Sequence, residues 1–192
     1  MIFLLIIPIA VVAYVLSLYN TLVTMKARIR ASIQEIGNQL KTQAEMIPNL
    51  LASVKMYMKQ EKSVFEAITE ARKALIKVIG TNDAKKMLEA GDRLDKAMAP
   101  VRALFESTPQ LQSAGPTTKL MDDIRDTSEK VMYARRTLID LSADYNIRIV
   151  TFPANMVAKL LGFKAEAGLK TPETGAHLEI SVEETKTPKV SY

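Results

Sequence analysis

At 192 residues the chain has the length of one domain with an appendage, enough to bury a real core. Seven Gly, eight Pro and 6% aromatics favour helices over a β sandwich, and the absence of Cys excludes disulfides, thiol catalysis and thiolate metal sites. The net charge of +5 is a modest excess of 26 basic over 21 acidic residues, and its basic part gathers before Gly80 and around Lys159–Lys170, while the end is acidic.

Residues Ile2 to Leu18 carry no charge, and counting on to Val23 gives about 20 residues, the length that crosses a hydrocarbon core as helix. A cleaved signal peptide wants a basic start and a small-residue cleavage site, yet the first basic residue is Lys26 and the apolar run flows straight into a helical pattern. Residues 1–23 therefore read as a retained transmembrane anchor. Pro8 is tolerable near the start of the span. Lys26, Arg28 and Arg30 follow the span and nothing basic precedes it, so the positive-inside rule puts the amino terminus outside and the body in the cytoplasm, at the cell (inner) membrane.

Beyond the anchor the apolar residues keep an alternating three-and-four spacing: Leu22, Met25, Ile29, Ile33, Ile36, Leu40, Ala44 and Ile47, with Lys26, Arg30, Gln34, Lys41 and Glu45 opposite. The membrane helix is thus expected to project into the body as one rod over about 22–46. Pro48 is expected to mark a tight turn at Met46–Asn49, because proline disrupts a helix interior and suits a first turn. A kinked continuous helix is the alternative. The stripe then runs on through Leu50, Val54, Tyr57, Glu61, Val64, Ile68, Ala71, Leu75 and Val78, predicting a second helix over 48–79. Gly80 is placed to end it, and Thr81, Asn82 and Asp83 offer capping oxygens to a third helix over 82–106, kinked at Pro100. Ser107–Pro116 reads as a loop, and a fourth helix over 117–151 follows, with Leu120, Ile124, Val131, Leu138, Leu141, Tyr145 and Ile149 in its stripe. The fold class is all-α: an N-terminal transmembrane helix continuing into an antiparallel up-down four-helix bundle over 19–164, with coiled-coil-like seams.

In that layout Phe152 returns to the bilayer surface, and the segment there, with a short helix over 153–161, carries Met156, Val157, Leu160, Leu161 and Phe163 beside Lys159 and Lys164. It can lie in the membrane interface or cap the open end of the core. Residues 165–192 mix Gly, Pro, Thr, Glu and Lys without a helical period and read as a flexible, disordered tail, apart from a weak alternation at 177–182.

Several segments together resemble the LemA family of bacterial membrane-anchored helical proteins. Tyr19-Asn20-Thr21-Leu22-Val23 is similar to the family's YNxLV. Gln39-Leu40-Lys41 with Ile47-Pro48-Asn49-Leu50 is similar to QLK…LIPNLV. Val54-Lys55-Met56-Tyr57, Glu61-Lys62 and Glu66-Ala67-Ile68-Thr69-Glu70-Ala71-Arg72 resemble VKxY, HEK and EAVTEAR. Asp144-Tyr145-Asn146, Phe152-Pro153-Ala154-Asn155 and Gly162-Phe163-Lys164 resemble the YN…FPxN…GFK close. The resemblance spans about Tyr19 to Lys164 and implies an antiparallel four-helix bundle behind one transmembrane helix; the family implies no agreed enzymatic activity. The chain departs from the pattern at Gln60, where relatives carry His, at Leu138-Ile139 in place of a second YN, and at Thr108–Ser113 in place of YPDLKA.

Chemistry finds little support. A di-iron bundle needs inward Glu-x-x-His pairs, and the single histidine is His177 in the tail. Hydrolase triads fail for the same reason. Glu66 with Glu70, and Asp122, Asp123 and Asp126, have the spacing of solvated charged faces. There is no glycine-rich phosphate loop, and no aromatics interleave with the basic residues as nucleic-acid binding wants. No cofactor, metal or small-molecule substrate is expected. Glu61 stands out as a carboxylate on an apolar stripe. Either the helices open there and it is solvated or salt-bridged, or it is a buried polar node fixing register or meeting a partner, with Arg135 or Arg136 as its cation. Pro48, Asn49, Tyr145 and Asn146 are the other structural or partner-binding candidates, and Lys26, Arg28, Arg30, Lys159 and Lys164 the candidates for the membrane surface. The expected function is that of a non-enzymatic membrane-anchored scaffold docking protein partners, with a homo-oligomer open. A bilayer-proximal protein that senses or shapes membranes is the alternative.

Overall fold

The structure, a computed structural model, describes residues 2–58 and 61–169, with side chains from Ile6 onward. Its elements are α1 (Ile2–Val54), α2 (Lys62–Val78), α3 (Ala84–Ala97), α4 (Ala99–Ser107), α5 (Pro109–Gln112), α6 (Gly115–Val150) and α7 (Ala154–Leu160), with no strand among the described residues. The apolar amino-terminal part of α1 is long and apolar enough to cross a membrane and is almost wholly uncovered. From Leu18 onward the same helix becomes the spine of a helical body, a length of about 54 Å to Val54 at 1.5 Å per residue.

The core lies where the expected stripes meet. Leu22, Ile36, Leu40, Ile47 and Leu50 of α1 are fully buried against Ile68 and Leu75 of α2, Met87 and Leu94 of α3, and Tyr145 of α6. Two polar contacts, one buried and one partly buried, fix how α6 lies on α1: Ser32 Oγ donates to the Ala134 carbonyl at 3.0 Å, and Gln43 Nε2 donates to Ser128 Oγ at 2.9 Å. Residue numbers therefore rise along one helix as they fall along the other. Residue 91 is a glycine because α1 is close: a Cβ there would stand 2.7 Å from Leu40 Cδ2.

The turn between α2 and α3 follows the sequence reading. Gly80 has φ +111° and Asn82 has φ +54°, backbone that favours glycine and tolerates asparagine. Asp83 Oδ1 accepts the Lys86 N–H at 3.1 Å and Oδ2 meets the Lys86 ammonium at 3.0 Å, and the Lys86 N–H above all holds this carboxyl below its usual range. The break expected at Pro100 falls at Met98, and Pro100 sits in the first turn of α4.

One expectation needs correction: Pro48 does not turn the chain, because α1 continues through it to Val54, as in the alternative of a continuous helix, and α2 begins only at Lys62. Pro48 lies on the exposed side, and its buried neighbours Ala44, Ile47 and Leu50 keep the helix docked across it. The apolar stripe kept its phase across the reversal, so its spacing could not show where the helix ended. Of the two readings of Glu61, the structure has the exposed one and not the buried node. The residue is exposed at the N-cap of α2, makes no side-chain cap, and pairs with no cation among the described residues. Arg135 instead borders a groove with Leu138 and residues 166–169. Of the expected tail, residues 165–169 lie along α1 and α6, as described below, and residues 170–192 lie outside the described residues. Gln60 and the alternating stretch at 177–182 lie outside the described residues. Smaller shifts are a one-turn α5 inside the expected loop, with Leu111 buried, and the start of α6 at Gly115.

Candidate functional site

The described residues offer no convergence of three or more His, Asp or Glu side chains. What the fold builds instead is two polar junctions. One is the tie at Pro48. Proline has no N–H, so the Ala44 carbonyl four residues earlier loses its helical partner, and a buried orphan carbonyl is costly. Arg72 of α2 fills the gap: its Nε donates to Ala44 O at 2.6 Å. The charged donor both repairs α1 and pins the returning α2 to it. Asn49, beside Pro48, is exposed, and its carbonyl accepts from Ser53 Oγ at 2.9 Å.

The second junction lies where the apolar part of α1 enters the body. Gly162, at φ +73°, ends α7 and turns the chain back. Phe163 then meets Tyr19 edge-on, with ring centroids 5.9 Å apart. Tyr145, wholly buried, donates its hydroxyl to the Lys164 carbonyl at 3.0 Å. Asn146 holds Glu166 by both backbone groups, donating Nδ2 to the Glu166 carbonyl at 3.0 Å and accepting the Glu166 N–H at 2.9 Å. The Glu166 carboxylate reaches Lys26 Nζ at 2.9 Å. Burial pushes the Tyr145 phenol above its ordinary pKa; Lys26 pulls the other way and Glu166 adds to the rise.

The five candidate membrane-surface residues thus divide. Lys26 is half-buried and committed to Glu166, whereas Arg28, Arg30, Lys159 and Lys164 are exposed and meet no carboxylate among the described residues. Tyr145 and Asn146 both take part in the second junction; Pro48, Asn49 and Glu61 are elsewhere. Arg72 and Glu166 were not singled out by sequence reasoning. Asn146 carried a usable signal, since an asparagine amid a long helix competes with the helical backbone unless its amide has a use.

α7 seats itself by its small residues. Ala154 and Ala158 are buried, while Met156 and Leu160 face outward at 66% and 84% exposure, with Phe152 just before the helix at 74%. The expected alternative, an apolar cap filling the open core, is therefore met only by the two alanines and half-buried Val157.

The family model described as the LemA family matches residues 32–191 of this chain. Among curated proteins, the chain is 23% identical over 179 residues to magnetosome protein MamQ of Magnetospirillum gryphiswaldense, covering 81% of this chain and 66% of that protein. It is 22% identical, with the same coverage, to magnetosome proteins MamQ 1 and MamQ 2 of Paramagnetospirillum magneticum. The chain thus spans a little under two thirds of the length of these relatives.

Proposed function

The chain belongs to the LemA family, and from that premise we propose that it is a non-enzymatic, single-pass membrane-anchored scaffold whose helical body docks other proteins. The observation that carries this reading is the unbroken α1: one helix is bare and apolar at its start and the spine of the body thereafter, so the body is held rigidly at a bilayer. The body is an antiparallel up-down four-helix bundle in this reading, formed by α1, α2, α3 continued by α4, and α6. The opposite order of the Ser32–Ala134 and Gln43–Ser128 contacts supports it. Likeness to magnetosome proteins supports a part in organising a cell structure.

Orientation follows from Arg28 and Arg30, exposed just beyond the apolar stretch, which favour an outside amino terminus and a cytoplasmic body. Protease shaving of spheroplasts leaves the body intact in this reading; its digestion without lysis overturns the orientation. Crosslinking with mass spectrometry in native membranes tests the scaffold. Reproducible protein partners support it, and self-contacts alone, joined to tubulation of vesicles in vitro, replace it with a membrane-shaping protein.

A further inference from the structure

The membrane-proximal end of the body carries an apolar face that the soluble packing does not use. Ile147 and Val150 on the last turns of α6, Phe152, and Met156 and Leu160 on α7 are all exposed. Met156 and Leu160 are spaced four apart on α7, so they share one side of it, opposite buried Ala154 and Ala158, and Phe152 is exposed just before the helix begins. A water-facing helix with its alanines inward and its largest apolar residues outward is oriented against the hydrophobic effect unless something apolar covers it.

The level of this face relative to the membrane is set by α1. The Tyr19–Phe163 ring contact puts the end of α7 beside Tyr19, still within the uncharged stretch of α1 and beside exposed Val23. The first charge, Lys26, lies about 10 Å further along at 1.5 Å per residue, comparable with the roughly 7 Å of headgroup region on each side of a hydrocarbon core. Around the apolar face stand Arg148, Lys159 and Lys164, exposed and without a carboxylate partner among the described residues. Aromatic rings at the hydrocarbon edge and cations reaching past them to lipid phosphates are the pattern of an interfacial segment.

Resting on the membrane-anchor reading above, we propose that the end of α6 and α7 form a foot embedded in the headgroup region of the bilayer that α1 crosses, with Phe152, Met156 and Leu160 in the acyl boundary and Arg148, Lys159 and Lys164 on anionic lipid. The Tyr145–Asn146–Glu166–Lys26 junction holds this foot in place by fixing the chain directly after it. The anchor then cannot pivot freely in the membrane, and the body stands at a set angle to it.

The chain has no Cys, so single-cysteine variants report one site each. Met156→Cys and Leu160→Cys, with Leu16→Cys in the apolar helix and Lys119→Cys far along α6 as references, are labelled in the full chain with an environment-sensitive fluorophore. The proteins are reconstituted into phosphatidylethanolamine–phosphatidylglycerol vesicles. The foot predicts blue-shifted emission at positions 156 and 160, quenched by lipid-borne nitroxide and protected from aqueous iodide, while position 119 shows the reverse. Iodide quenching at 156 and 160 with a lipid-quenched label at 16 overturns the foot and leaves the anchor standing. Labels shielded from both quenchers mark a protein contact and overturn it as well. An iodide-quenched label at 16 removes the anchor itself, and the foot with it.

Discussion

Arg72 is the residue that makes a proline inside α1 affordable. Its hydrogen bond to the carbonyl that Pro48 leaves unpaired is charge-assisted and half-buried, and bonds of that kind contribute about 1.5–3 kcal/mol. The arginine matters because of the proline, so the two are expected to couple. Arg72→Met alone costs about 2 kcal/mol in chemical denaturation, and much less in a Pro48→Ala background, where residue 48 regains an N–H for Ala44. Strict additivity in that double-mutant cycle would show that Arg72 acts elsewhere. Tyr145 makes a second prediction. Its folded pKa is raised above the unfolded value near 10, so its stabilisation is complete below that value and is lost as pH rises through the folded pKa. Titrating stability upward from about pH 10 should therefore reveal a decline that Tyr145→Phe reduces. An unchanged profile in the variant would assign the decline to other groups.

Helix α3 meets α1 through two glycines that differ in the space around them. At Gly37 an added methyl would make an ordinary 3.4 Å contact with the flexible Met87 thioether, whereas at Gly91 it would stand 2.7 Å from buried Leu40. Gly37→Ala is expected to stabilise by up to ~1 kcal/mol through helix propensity. Gly91→Ala sets that gain against overpacking of about 1–3 kcal/mol and should destabilise. Opposite shifts in melting temperature check the pair; a gain at both would mean that Leu40 moves aside freely. The elements also show how far periodicity reads. The stripes of α1, α3 and α6 and the Gly80 turn with its Asp83 cap were legible because burial and turn chemistry leave local marks. The end of α1 was not. No Gly or Pro marks residues 55–58, the apolar phase runs through the reversal, and the one strong breaker, Pro48, is neutralised by a side chain 24 positions on.

For the whole molecule, the register between α1 and α6 decides how the body stands on the apolar start of α1. Gln43→Cys with Ser128→Cys should be joined within one chain by a short bis-maleimide crosslinker, seen as a monomer of altered migration, because the native side chains meet across the two helices. A crosslinked dimer instead would mean that α6 packs on the α1 of another copy. By itself the sequence determined that the chain is helical, that it begins with a stretch apolar enough for a bilayer, and that it bears the LemA pattern. Each of these is a property of neighbouring residues or of composition, read without knowing what touches what. Only the tertiary structure decided that α1 passes Pro48, that Glu61 faces water, and that residues 163–169 are tied down at Tyr19, Lys26, Tyr145 and Asn146. Those outcomes turn on single hydrogen bonds, ion pairs and ring contacts between residues far apart in the chain, whose partners no local pattern specifies.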